Sequence, residues 1–234
     1  MPAPDPNGGS AGAPIFWDVD TQADFMYPGG LLYVPGAEDV VPAIARLTAF
    51  AHDHGVRIVA SADDHHPGDP ELSDSPDFDE TFPPHCMHGT PGQRKVAEST
   101  LRDALVIDPE AMDAGNLAAL IRRHRGDILI HKRRFDVFSN PNVPALLDEL
   151  RPAAIVVYGV ALDVCVRHAI EGLLNLIPTP VIYFVGDASR ALNVTLGRRL
   201  TDDWVKRGVR PVTTDELVAG SLLREYLPAD SHDH

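Results

Sequence analysis

Cys165 stands just beyond a change of hydrophobic period. An apolar, β-branched run from Ile155 to Tyr158 ends at Gly159, and Val166, Ala169, Ile170, Leu173, Leu174 and Ile177 then recur at helical spacing. That pattern predicts a strand, a tight turn and a helix, with the thiol in the first helical turn and Asp163 as its N-cap. Unpaired N–H groups and the positive end of the helix dipole favour a thiolate there, so Cys165 is a candidate nucleophile. Its null role is that of a small core residue. A nucleophilic thiol needs a base to take its proton and return it to a leaving group. Asp20 and Asp24, in the acidic stretch DVDTQADF, are candidates, and Lys132 could steady both carboxylate and thiolate by its charge. Asp63-x-His65 offers two donors for a divalent metal and His85 a third, with His66, His88 and the loop acids as competitors.

These residues need a frame that brings them together. Ile15–Val19, Val56–Ser61, Asp127–His131, the run ending at Tyr158, and Val181–Val185 read as strands, with Val209–Val212 as a last edge strand. Helices are expected over Asp39–His54, Asn116–Arg125, Val143–Leu150 and Leu196–Arg207, and a further one at the C-terminal end; Ala104–Ile107 stays unassigned. Strands alternating with helices predict one doubly wound α/β domain, over residues 14–226, with about six mostly parallel strands and helices on both faces. In such sheets the site lies at the carboxyl ends of the strands. Asp20, Asp63, Lys132 and Cys165 each follow a different strand, so four reactive side chains converge on one edge. The stretch from Ala62 to Gln93 is too rich in Pro, Gly and Asp for regular structure, and loops of that length usually carry function.

Composition narrows the partners. The 234 residues carry a formal charge of −14, which argues against nucleic acid or an anionic membrane surface as partner. No apolar run approaches the ~20 residues of a membrane span. Residues 1–13 read as a disordered tail without the marks of a signal peptide, and 227–234 as a loose end. Two cysteines, Cys86 and Cys165, make no disulfide framework, and a cytoplasmic location is expected. No G-x-G-x-x-G after a strand, Walker-type loop, G-x-S-x-G elbow or Cys-x-x-Cys is present.

Four ordered segments resemble one family. They are VDTQADF (Val19 to Phe25), SADDHH with FPPHCMHGTPG (Phe82 to Gly92), HKRRFDVF (His131 to Phe138) and GVALDVCV (Gly159 to Val166). Together they are similar to the isochorismatase-like cysteine hydrolases, and PPHC-x-x-GTPG looks most like the nicotinamidase branch. The resemblance implies a catalytic triad of Asp20, Lys132 and Cys165. It also implies a divalent metal on Asp63, His65 and His85, with zinc expected first and iron or manganese compatible. A cis peptide between Val160 and Ala161 and an oxyanion hole from the N–H groups of Ala161 and Cys165 follow from it too. Phe25, Phe82, Phe138 and Val164 fall in these segments and are expected around a flat substrate. Two departures stand out: Phe82 replaces a frequent Trp, and Val164 replaces a frequent His. No counterpart of a further His ligand is evident in GDPELSDSPD. The expected reaction is hydrolysis of a small amide, nicotinamide first, through a thioester on Cys165. Pyrazinamide and small carbamoyl or maleamate-type amides come next. Metal-free hydrolysis of a vinyl ether and a non-catalytic binding role are the rivals, and a homo-oligomer is compatible with the class.

Overall fold

The computed structural model describes residues 12–227. The expectations for the two tails therefore lie almost wholly outside it; Gly12, which it does describe, pairs in parallel with Pro152. In chain order the strands are β1 (Ile15–Val19), β2 (Arg57–Asp63), β3 (Leu105–Ile107), β4 (Ile128–Lys132), β5 (Ala154–Val160), β6 (Val181–Arg190) and β7 (Arg210–Val212). They form one parallel sheet in the order β3-β4-β2-β1-β5-β6-β7. The helices are α1 (Ala23–Met26), α2 (Val41–Asp53), α3 (Ala114–Arg123), α4 (Val143–Leu150), α5 (Cys165–Leu174), α6 (Val194–Lys206) and α7 (Thr214–Val218). None of these is long and apolar enough to cross a membrane.

Alternation along the central strands builds two cores. Phe16, Ile58, Val156 and Tyr158 face one way and pack with Ile44, Leu47 and Phe50 of α2 and Leu217 of α7. Trp17, Val19, Val59, Ile155 and Val157 face the other way, against Leu117 and Ile121 of α3, Leu146 and Leu147 of α4, Ile170 and Leu173 of α5 and Trp204 of α6. Burial on both faces explains why these strands read as continuous apolar runs. The α/β expectation holds, with seven strands rather than about six. The extra one, β3, has three residues and an exposed Val106 at the sheet edge, too little pattern to separate from a loop.

β6 runs past Val185 through Gly186 and Asp187, residues that disfavour strands, and its register against β5 shifts between Val157 and Gly159. Beyond the shift, the Ser189 hydroxyl accepts from the Gly159 N–H at 3.2 Å and donates to the Val185 carbonyl at 3.0 Å. Gly159 itself has φ +125°, and a Cβ there would lie 2.0 Å from the Val19 carbonyl oxygen. Only glycine lets β5 pass so close to β1 at the level where the reactive residues begin.

Candidate active site and metal centre

The strand order puts the ends of β4, β2, β1 and β5 side by side. Lys132 is the last residue of β4 and pairs in register with Asp63, the last of β2. Asp20 follows β1 directly with φ +49°, and Cys165 opens α5 after β5. All four are buried, and their side chains meet. Lys132 Nζ lies 2.9 Å from Asp20 Oδ2, donates to Asp63 Oδ1, and stands 3.8 Å from Cys165 Sγ. Ser61 Oγ donates to Asp20 Oδ1 at 2.6 Å. Asp20 Oδ2 makes no hydrogen bond of good geometry, and its one close charged neighbour among the described residues is the Lys132 ammonium.

Electrostatics refine the expectation of a ready thiolate. Burial pushes the Cys165 thiol well above its ordinary value; Lys132 pulls it down, but the Asp20 and Asp63 charges push it up again. The resting residue is a thiol, because burial, backed by the two carboxylates, outweighs the pull of Lys132. Burial also raises Asp20, against the pull of Lys132. A carboxyl raised in this way is a stronger base than an ordinary carboxylate. Burial alone would lower Lys132, yet the Asp20 and Asp63 charges hold it well above an ordinary lysine. It stays an ammonium.

The turn after β5 differs from the expected cap. α5 starts at Cys165 with Val164 at its N-cap, and the Asp163 carboxylate instead accepts from the N–H groups of Leu192 and Asn193 at 2.9 and 2.7 Å. The Val160–Ala161 peptide is cis. Val164 and Val166 both donate to the Ala161 carbonyl, whereas the Ala161 and Cys165 N–H groups have no protein acceptor among the described residues. Both residues line the pocket over the thiol. Two unpaired donors beside a thiol could receive an oxygen that gains negative charge.

Asp63 links this triad to a second cluster. Its Oδ2, without a hydrogen bond, lies 3.5 Å from His85 Nε2 and 3.9 Å from His65 Nε2, and Glu71 Oε1 lies 3.8 Å from both imidazole nitrogens. All four residues are buried. Four donors at about 2.1 Å from a tetrahedral centre stand about 3.4 Å apart, close to these separations. Each His has an outer partner on Nδ1: the Pro83 carbonyl at 2.8 Å for His85 and Asp69 at 3.4 Å for His65. Those partners turn each Nε2 lone pair inward, as metal-binding histidines require. The Asp63 carboxyl, which burial would raise, is held below the usual range by Lys132, whereas burial and Asp63 push Glu71 up to about 7. The cluster fits a divalent metal. Glu71 is the donor that sequence reasoning missed, because it sits in the irregular GDPEL stretch with no spacing to mark it.

The pocket is lined by Phe25, Phe82, Phe135, Val164, Leu192 and Ala161 above Cys165, with Asp63, Glu71 and His85 on its metal side. Phe138, expected there, lies elsewhere: its ring rests on Gly172 of α5, where a Cβ would come within 2.0 Å. Phe135 of the same segment lines the pocket instead. Asp24, the other candidate base, is engaged elsewhere: its carboxylate accepts from the N–H groups of Cys86 and Leu31. Cys86 is a buried structural thiol that burial pushes far up. Gln22, also missed, clamps the end of β2. Its amide accepts from the Asp63 N–H at 2.7 Å and donates to the Asp63 and Gln93 carbonyls. Two roomier clefts, of about 450 and 480 Å³, open elsewhere and hold no cysteine.

Fold and site thus define a doubly wound α/β protein with a cysteine, an aspartate and a lysine clustered at the strand ends. The isochorismatase domain model matches residues 18–216, and the chain belongs to the isochorismatase family. A nicotinamidase/pyrazinamidase of Mycobacterium tuberculosis is 44% identical over 75 residues, a stretch that takes in 32% of this chain and 39% of that protein. A probable inactive nicotinamidase of Arabidopsis thaliana is 24% identical over 200 residues, covering 85% of this chain and 91% of that one. The crystal structure of a Pyrococcus horikoshii pyrazinamidase in complex with zinc superposes with a TM-score of 0.66 at 21% identity, over 86% of this chain and 99% of the other.

Proposed function

We propose that the protein is a metal-containing cysteine amidohydrolase whose preferred substrate is nicotinamide, cleaved to nicotinate and ammonia. The contact of Lys132 with Asp20, Asp63 and Cys165 carries this reading, since it joins a nucleophile–base pair to a metal donor through one buried ammonium. Asp20 takes the Sγ proton as sulfur attacks the carboxamide carbon. The Ala161 and Cys165 N–H groups receive the carbonyl oxygen as it gains charge, each worth about 3–4 kcal/mol in related oxyanion holes. Asp20 then gives the proton to the departing nitrogen, and ammonia leaves a thioester. Water adds to that thioester, Asp20 takes its proton, and C–S cleavage returns the proton to sulfur. Lys132 keeps its charge throughout and offsets the negative charge passing between oxygen and sulfur.

A borderline divalent metal on Asp63, His65, Glu71 and His85, with zinc the first choice, would supply a Lewis-acidic anchor for a neutral ring nitrogen. Phe25, Phe82 and Phe135 offer flat apolar walls between that end and the thiol, so a planar ring is held at two points. The Mycobacterium tuberculosis relative and the zinc-bound Pyrococcus pyrazinamidase support the choice. The test is ammonia release from nicotinamide, pyrazinamide, benzamide and small carbamoyl and maleamate-type amides, compared as kcat/KM. Nicotinamide is expected to exceed benzamide by more than about tenfold, because benzamide lacks the ring nitrogen. Equal rates would overturn ring-nitrogen recognition, and no ammonia from any of the panel would overturn the amidase reading.

A further inference from the structure

Asp63-Asp64 and His65-His66 form a doublet of each residue type at the end of β2. Successive residues of extended chain point to opposite faces. Asp63 and His65 turn towards the centre described above, so Asp64 and His66 turn away from it. His65 bridges Met87 in parallel, with the His88 N–H donating to the His65 carbonyl at 2.8 Å, and this brings His88 alongside His66. The two exposed rings stack with centroids 4.7 Å apart.

Asp64 is nearly buried. Its Oδ1 lies 2.7 Å from His88 Nδ1 and accepts from Gln93 Nε2 at 2.5 Å. Its Oδ2 lies 3.8 Å from His66 Nε2 and 3.6 Å from His131 Nδ1. His131 in turn contacts Asp108 at 2.8 Å. Among the described residues no lysine or arginine pairs with Asp64. A carboxylate taken out of water in this way calls for a cation, and here it is ringed by imidazoles instead. Asp64, His66 and His88 each present a donor atom within 4.8 Å of the others.

We infer that Asp64, His66 and His88 form a second, outer divalent-cation site, separate from the Asp63 centre. One carboxylate oxygen and two imidazole nitrogens select borderline ions such as zinc or nickel over calcium or magnesium. A bound ion would join Asp64 and His66, at the start of the excursion between residues 66 and 88, to His88 at its end. That excursion carries Glu71, Phe82 and His85, so closing it restrains the loop that supplies half of the inner centre.

The test counts zinc bound to metal-stripped full-length protein by equilibrium dialysis and elemental analysis. The wild type is expected to bind two equivalents, the second more weakly. The His66→Ala/His88→Ala double variant is expected to bind one and to keep wild-type ammonia release. His65→Ala is expected to lose the other, so failure of the inner centre is told apart from failure of the outer one. Asp64→Asn carries the same expectation as the double variant should that variant misfold. Limited proteolysis within 66–88 is expected to slow on filling of the second site in wild type and not in the double variant. Saturation of the wild type at one equivalent, two equivalents in both the double variant and Asp64→Asn, or proteolysis indifferent to the second ion would each overturn the site.

Discussion

At the scale of single residues, Cys165 is a buried thiol that depends on its neighbours for activation. In the proposed reaction Asp20 receives its proton, and Lys132, 2.9 Å from Asp20 Oδ2, is the charge that makes the transfer tolerable. Cys165→Ala is therefore expected to abolish ammonia release, by several orders of magnitude, while the melting temperature stays near that of the wild type. Residual amidase activity in protein free of host enzyme would show that another group is the nucleophile. Glu71→Gln keeps the side chain's shape and removes the anionic donor facing both imidazoles at 3.8 Å. It is expected to weaken zinc binding by about 10–100-fold or more in a competition titration, by analogy with losses at metal-supporting groups. Unchanged affinity would leave the metal to Asp63, His65 and His85 alone. Cys165, Asp20, Lys132, Asp63, His65 and His85 were legible in the sequence because each follows a strand or falls in an ordered segment. Glu71, Gln22 and Phe135 were not, since a loop residue's direction depends on turns that no periodicity records.

At the scale of elements, the site depends on how β1 and β5 approach one another. Gly159 permits that approach, and any side chain there would meet the Val19 carbonyl. Gly159→Ala is expected to destabilise the protein by about 2 kcal/mol or more, read as a lower urea midpoint, since both the φ of +125° and the contact oppose a Cβ. A midpoint equal to the wild type would mean that the two strands separate freely at this level. Asp163 works across elements: it fastens the Leu192 and Asn193 backbone, and Leu192 lines the pocket. Asp163→Ala is expected to raise KM more than it lowers kcat, because it loosens a pocket wall and leaves the triad in place. The reverse split would place Asp163 closer to the chemistry. Helix α4 was legible residue for residue, since its Pro in the first turn and its apolar spacing agree. β3 and the outer half of β6 were hidden, the one by shortness and the other by Gly and Asp at its register shift. The Asp163 cap failed because the same carboxylate can satisfy N–H groups from a loop distant in sequence.

At the scale of the whole molecule, the doubly wound sheet was legible in the alternation of apolar strands and amphipathic helices, whereas the order of its strands was not. That order places β1, the first strand of the chain, in the middle of the sheet between β2 and β5. The consequence concerns synthesis. When the ribosome has made β1 to β4, one whole side of Ile15–Val19 still awaits β5, and the waiting strand is IFWDV, with Ile15, Trp17 and Val19 on one face and Phe16 beside Asp18 on the other. Such an open edge is a template for pairing with other chains. Because its true partner arrives almost a domain's length later, closure pays the loop entropy late and folding is slow. A chain ended at residue 152, before β5, is expected to aggregate on expression, while the full chain stays dispersed; a monomeric, soluble fragment would show that β1 does not wait exposed. From the end of β4 until β5 emerges, the nascent protein is thus a half-sheet whose future centre is its most adhesive edge.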